Sequence, residues 1–125
     1  MSARVLIVDD SSLARRRARG ILEKGGYEVV EAEDGMAALE RYFIDKPDIV
    51  LLDLVMKGMY GIEVLNRLRQ MDPAARVIVV SADVQTSSHE LVATAGAIGF
   101  LVKPLDEEAA LTLVRSTLGE GGHAD

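Results

Sequence analysis

The chain predicts an α/β fold: one open, doubly wound parallel sheet of five strands, (βα)5, with helices on both faces. Three observations carry that reading. Short apolar runs alternate with segments of helical period along the whole chain. Three of the runs, Val5-Leu6-Ile7-Val8, Ile49-Val50-Leu51-Leu52 and Val77-Ile78-Val79-Val80, are continuous, as strands covered on both faces must be. The length of 125 residues fits one domain and is about half of what an eight-fold barrel needs.

The first strand spans 4–8. Ala14, Ala18, Ile21 and Leu22 recur at helical spacing and predict a helix over 12–24, which Gly25-Gly26 stops. Residues 28–32 alternate, as a more exposed strand does. Asp34-Gly35 reads as a turn. Ala38, Leu39, Tyr42 and Phe43 mark a second helix that ends before Pro47. The central strand is expected over 48–52. Leu65 and Leu68 share a face of a helix over 61–71, which Asp72-Pro73 terminates. A fourth strand follows over 76–80. A fourth helix is expected over 87–95, through Ser88, Leu91, Val92 and Ala95, with Gly96 ending it. The fifth strand covers 99–102. Asp106 is placed to cap a fifth helix whose first turn carries Glu107 and Glu108, favourable at the positive end of the dipole.

Composition narrows the function. The net charge of -6 argues against direct binding of nucleic acid, whose ligands are usually basic. Cysteine is absent, so no disulfide framework or thiolate metal site is expected. No apolar stretch approaches the ~18–20 residues of a membrane span. Met1-Ser2-Ala3-Arg4 runs straight into the first strand, so no signal peptide is expected and the cytoplasm is the default location. The run Arg15-Arg16-Arg17-Ala18-Arg19 reads either as a solvated helix face or as a docking surface for an acidic partner. His89 and His123, without a second His or Cys near either, are assigned no metal role.

The strand ends carry the chemistry. Asp9 and Asp10 end the first run, Asp53 the third, Ser81 the fourth and Lys103 the fifth. One edge of a parallel sheet brings such ends side by side. Two unit charges about 4 Å apart interact by roughly 4 kcal/mol at an effective dielectric of 20, so three carboxylates there need a proton, a lysine or a divalent cation. All-oxygen ligation selects a hard metal, Mg²⁺ or Mn²⁺, which leaves room for a phosphate oxygen. An aspartate beside such an ion is a competent nucleophile toward phosphorus. Lys103, Ser81 and the backbone N–H of Ala82 are the candidates to stabilise the charge on the transferring group.

In Val8-Asp9-Asp10-Ser11, Leu51-Leu52-Asp53-Leu54-Val55-Met56, Val80-Ser81-Ala82 and Gly99-Phe100-Leu101-Val102-Lys103-Pro104, the chain resembles the receiver domains of two-component response regulators. In size it is similar to the stand-alone chemotaxis type. The resemblance covers about residues 3–118 and implies a receiver domain over 1–119 with a flexible tail over 120–125. It implies the flavodoxin-like strand order 2-1-3-4-5. It makes Asp53 the acceptor of a phosphoryl group from a sensor histidine kinase or histidine phosphotransfer protein. Asp10, Asp53 and the carbonyl of Val55 would hold Mg²⁺, with Asp9 acting mainly through a metal-bound water. Lys103 would pair with Asp53 before transfer and with the phosphoryl group after it, and Lys103-Pro104 would be cis. Ser81 would move toward the phosphoryl oxygen and Phe100 turn inward, repacking the face of the fourth helix, fifth strand and fifth helix for a downstream protein target. A monomer or a phosphorylation-dependent dimer is expected, with no nucleic-acid or membrane contact.

Two residues depart from the family pattern: Lys57 where proline is common and Tyr60 where an acid is common. Three other functions compete with this reading. A phosphorylation-independent scaffold is expected to lack part of the acid set, which is complete here. An aspartyl-nucleophile phosphatase wants an acid two residues after the nucleophile, where this chain has Val55. A flavodoxin-like nucleotide binder cradles phosphate after the first strand, where Asp9-Asp10 would repel it. The chain is therefore read as a signalling module, not a turnover enzyme.

Overall fold

β1 (Arg4–Val8), β2 (Glu28–Ala32), β3 (Ile49–Asp53), β4 (Val77–Ser81) and β5 (Gly99–Val102) form one parallel sheet in the order β2-β1-β3-β4-β5. Between and after them run α1 (Ser12–Lys24), α2 (Gly35–Asp45), α3 (Gly61–Met71) and α4 (Glu107–Thr117). The structure, a computed structural model, describes residues 2–54, 56, 60–82, 90 and 93–119. The helix expected over 87–95 falls largely outside these. Within it Glu90, Ala93 and Thr94 are helical. Gly96 follows at φ 105°, a left-handed value that glycine alone adopts freely. The fifth helix of the sequence reading is thus α4, and the tail over 120–125 lies outside the described residues. Among the described residues no helix is long and apolar enough to cross a membrane.

Side chains that alternate along a strand leave opposite faces of the sheet. Val5, Ile7, Ile49, Leu51, Ile78 and Val80 leave one face and meet Ala18, Ile21 and Leu22 of α1 and Ala110, Leu111 and Val114 of α4. Leu6, Val8, Val50, Leu52, Val77 and Val79 leave the other and meet Ala38 of α2 and Val64, Leu65 and Leu68 of α3. Every residue of β3 and β4 is buried, which is why those runs show no polar alternation. β2 and β5, at the margins, are partly exposed.

Side-chain caps start three helices. Ser11, Asp34 and Asp106 accept from the backbone N–H of Ala14, Ala37 and Ala109 at 3.1, 2.8 and 2.9 Å. Asp34-Gly35 is therefore not a free-standing turn but the entry to α2. The central and fourth strands each run one residue further than expected. Asp53 pairs with Val80 and Ser81 with Val102 in the ladder. A polar side chain ends an apolar run without ending the backbone pairing, so both candidate residues sit on strands.

Candidate functional site

The C-terminal edge of the sheet gathers the predicted residues. Asp9 and Asp10 follow β1, Asp53 closes β3, Ser81 closes β4 and Lys103 follows β5. Asp9, Asp53 and Ser81 are the buried polar residues among those described. Asp10 is exposed. One carboxylate oxygen from each of Asp9, Asp10 and Asp53 lies within 4.8 Å of the others.

Local structure explains why the acids stay put. Asp9 Oδ1 accepts from the backbone N–H of Ser11 at 2.9 Å, closing a tight turn into α1. Its backbone N–H donates to the Ala32 carbonyl at 3.2 Å, which carries the β1–β2 ladder past the strand end. Its own carbonyl accepts from Arg15 Nη1 at 2.7 Å. Arg15 is in turn held by Glu31 on β2, Nε to Oε1 at 2.9 Å. Behind Asp53, α3 begins so close that a Cβ on Gly61 would lie 2.5 Å from the Asp53 carbonyl oxygen and 2.7 Å from the Leu54 Cα. Only glycine fits there, because the obstruction is backbone and cannot swing aside. The Gly61 N–H uses the approach to donate to the Leu54 carbonyl at 2.8 Å.

Lys103 enters from the sheet margin. Its N–H donates to the Ser81 carbonyl at 2.9 Å, and the Lys103–Pro104 bond is cis. Its Nζ donates to Asp9 Oδ2 at 2.7 Å and lies 3.4 Å from Asp53 Oδ2. The expected partner, Asp53, is thus the more distant of the two: the amine sits between both carboxylates, nearer Asp9. Burial pulls the Lys103 pKa down, but the Asp9 hydrogen bond and the charges of Asp53 and Asp9 outweigh it, and the net direction is up. Lys103 is therefore fully charged at neutral pH. One amine faces three carboxylates, and the remaining oxygens are all hard donors.

Phe100 is half-buried and packs against the core on the α2–α3 face. Tyr60 is exposed at the N-cap of α3, where it makes no side-chain cap. Val55, Lys57 and His89 lie outside the described residues. Sequence reasoning missed Arg15 and Glu31, which brace Asp9. Their alternation in β2 and helical spacing in α1 mark them as surface residues, and nothing in either pattern pairs them.

The profile of the response regulator receiver domain matches residues 5–115. The chain is 42% identical over 119 residues to the chemotaxis protein CheY of Bacillus subtilis, covering 94% of this chain and 99% of that one. It is 44% identical over 105 residues to CheY of Thermotoga maritima, covering 83% and 88%. Among solved structures it is similar to the CheX–CheY–BeF3–Mg²⁺ complex of Borrelia burgdorferi, at 36% identity and a TM-score of 0.87 over 91% of this chain and 87% of that one.

Proposed function

The chain belongs to the response regulator receiver domain family, and from that premise we propose that Asp53 accepts a phosphoryl group from a histidine kinase or a histidine phosphotransfer protein. The observation that carries this reading is the convergence of Asp9, Asp10 and Asp53 oxygens within 4.8 Å beside one amine. In the step, an Asp53 carboxylate oxygen bonds to phosphorus as the P–N bond of the phosphohistidine breaks, and the protonated ring leaves as neutral imidazole. Lys103 faces the charge on the phosphoryl oxygens, and Ser81 offers them a hydroxyl.

The donor set fits a hard divalent cation: three carboxylates, no nitrogen or sulfur, and more negative charge than Lys103 offsets. Asp10, Asp53 and the Val55 carbonyl would hold Mg²⁺, or Mn²⁺ in its place, with Asp9 acting through a water. Bound there, the ion supplies charge neutralisation for the incoming phosphoryl oxygens. The Borrelia relative, seen with Mg²⁺ and BeF3 together, supports a site that takes a cation and a phosphoryl-like anion at once.

Lys103 pairs with both Asp9 and Asp53, so a phosphoryl group arriving on Asp53 competes for its amine. Lys103 leaving Asp9 for the phosphoryl oxygens, with Ser81 and Phe100 following, would repack the margin around β5 and present it to a downstream protein in the cytoplasm. Nothing in this scheme turns over an external substrate. Val55 stands where a hydrolase of the aspartyl-nucleophile type wants its acid, so the chain modifies itself rather than a substrate pool. The receiver spans 1–119 in this reading, and 120–125 is a tail.

Incubation with phosphoramidate and Mg²⁺, followed by intact-mass measurement, tests the proposal. An added phosphoryl mass in the wild type and none in Asp53→Asn is expected. Equal labelling of both proteins moves the acceptor elsewhere, and no labelling of either removes the function.

A further inference from the structure

The arginine run of α1 is mostly turned back on its own molecule. Arg15 holds Glu31 and the Asp9 carbonyl, and Arg19 holds Glu31 and Glu23. Arg17 does something different. Its Nε and Nη2 both donate to a single acceptor, the Leu105 carbonyl oxygen, at 3.2 and 2.6 Å. That carbonyl is 88 residues away in the chain and two residues beyond Lys103.

The placement matters because β5 is a sheet margin. Among the described residues, the Lys103 backbone is tied to the sheet through its N–H, which donates to the Ser81 carbonyl. A cavity of about 770 Å³ opens beside it, lined by Leu13, Ala14 and Arg17 of α1, by Pro104 and Leu105, and by Asp9, Asp53 and Lys103 of the site. Arg17 lies along this cavity and reaches from α1 to the segment after β5. A charged, two-pronged bond to one carbonyl is stronger and more directional than a neutral single one.

We propose that Arg17 is a positioning residue for phosphoryl transfer: it ties the Lys103–Leu105 segment to α1 and so places the Lys103 amine over the acid cluster. The inference rests on the reading of Asp53 as acceptor and Lys103 as its cation. It does not make Arg17 a folding determinant. The Leu105 side chain is itself buried in the core and anchors the segment independently. Arg17 sets where the amine sits, not whether the loop folds. The same helix would then serve both halves of the site, Arg15 bracing the acids and Arg17 the amine.

The test uses the full chain and the rate of Asp53 phosphorylation by phosphoramidate at saturating Mg²⁺. In that reaction the P–N bond breaks, the Asp53 O–P bond forms and ammonia leaves with its protons. Arg17→Met keeps the aliphatic stem and loses the donors, and is expected to slow the rate roughly tenfold, as loss of a supporting contact typically does. Its Mg²⁺ affinity, measured by calorimetry, should match the wild type. Arg17→Lys, which can offer one N–H to the carbonyl, should recover part of the rate. In a Lys103→Met background Arg17→Met should add nothing, because the residue it positions is gone. A wild-type rate in Arg17→Met overturns the inference. So does an equal slowing in the Lys103→Met background, or a loss that tracks Mg²⁺ affinity. A folded wild type that takes up no phosphoryl group from any donor overturns the acceptor reading itself, and this inference with it.

Discussion

At the N-terminal end of the sheet, Arg4 donates to the Asp45 carbonyl at 2.6 Å and pairs with Glu28 at 3.0 Å, while its backbone N–H donates to Asp48 at 2.7 Å. These charges are partly exposed, the Glu28 side chain by half. At the C-terminal end, three carboxylates meet one amine, and the Asp9 and Asp53 side chains are less than a tenth exposed. The first arrangement costs little because water shares the work. The second carries surplus negative charge where water is scarce, which weakens the fold unless something else binds. A chain selected for stability alone would not build it, so the excess singles out this end of the sheet as the candidate site.

The comparison is broken most severely at Lys103. Without Mg²⁺, Lys103→Met leaves Asp9 and Asp53 buried with no amine, and a loss of about 3 kcal/mol is expected by urea denaturation. A loss no larger than that from Arg4→Ala would erase the contrast between the two ends. Asp53→Asn should act in the opposite sense, raising metal-free stability by roughly 1–2 kcal/mol through relief of repulsion. The order should invert at saturating Mg²⁺, because the ion stabilises the folded wild type by mass action. Melting curves with and without the ion decide it, and an unchanged order in both would remove the ion from the site.

Glu31 sharpens the contrast through pH. Arg19, and after it Arg15, hold its carboxyl below the usual carboxylate range despite partial burial. A group whose folded pKa is lowered contributes stability above its unfolded pKa, about 4.3, and loses it as pH falls through the folded value. Glu31→Gln is therefore expected to cost about 1 kcal/mol at pH 7, with the gap to wild type closing below about pH 4. Parallel acid-denaturation curves would contradict this. Arg4→Ala, at the other end, should cost less than about 1 kcal/mol and less still in high salt.

Most of this site is legible in the sequence, because strands buried on both faces announce themselves as unbroken apolar runs and their polar terminators fall at one edge. The strand order was not legible from those runs and came from the family resemblance. Four features escaped for identifiable reasons. Asp53 and Ser81 were read as following their strands, since side-chain polarity is blind to backbone pairing. Asp34-Gly35 looked like a turn because the same dipeptide chemistry serves a helix cap. Arg17, and Arg15 besides its pairing with Glu31, bind backbone carbonyls, those of Leu105 and Asp9, and a carbonyl leaves no trace in residue type. That the Lys103 amine lies nearer Asp9 than Asp53 is likewise a matter of a few tenths of an ångström that no spacing encodes.

β1 and β3 each have a hydrogen-bonded neighbour on both sides, whereas β5 has one. The pocket is thus a vice with one fixed jaw, carrying the aspartates, and one sliding jaw, carrying the lysine. Whatever is gripped between them can shift the sliding jaw far more cheaply than the fixed one. A fluorophore seated along the β2 flank would stay silent through such a cycle, and one seated along the β5 flank would report it.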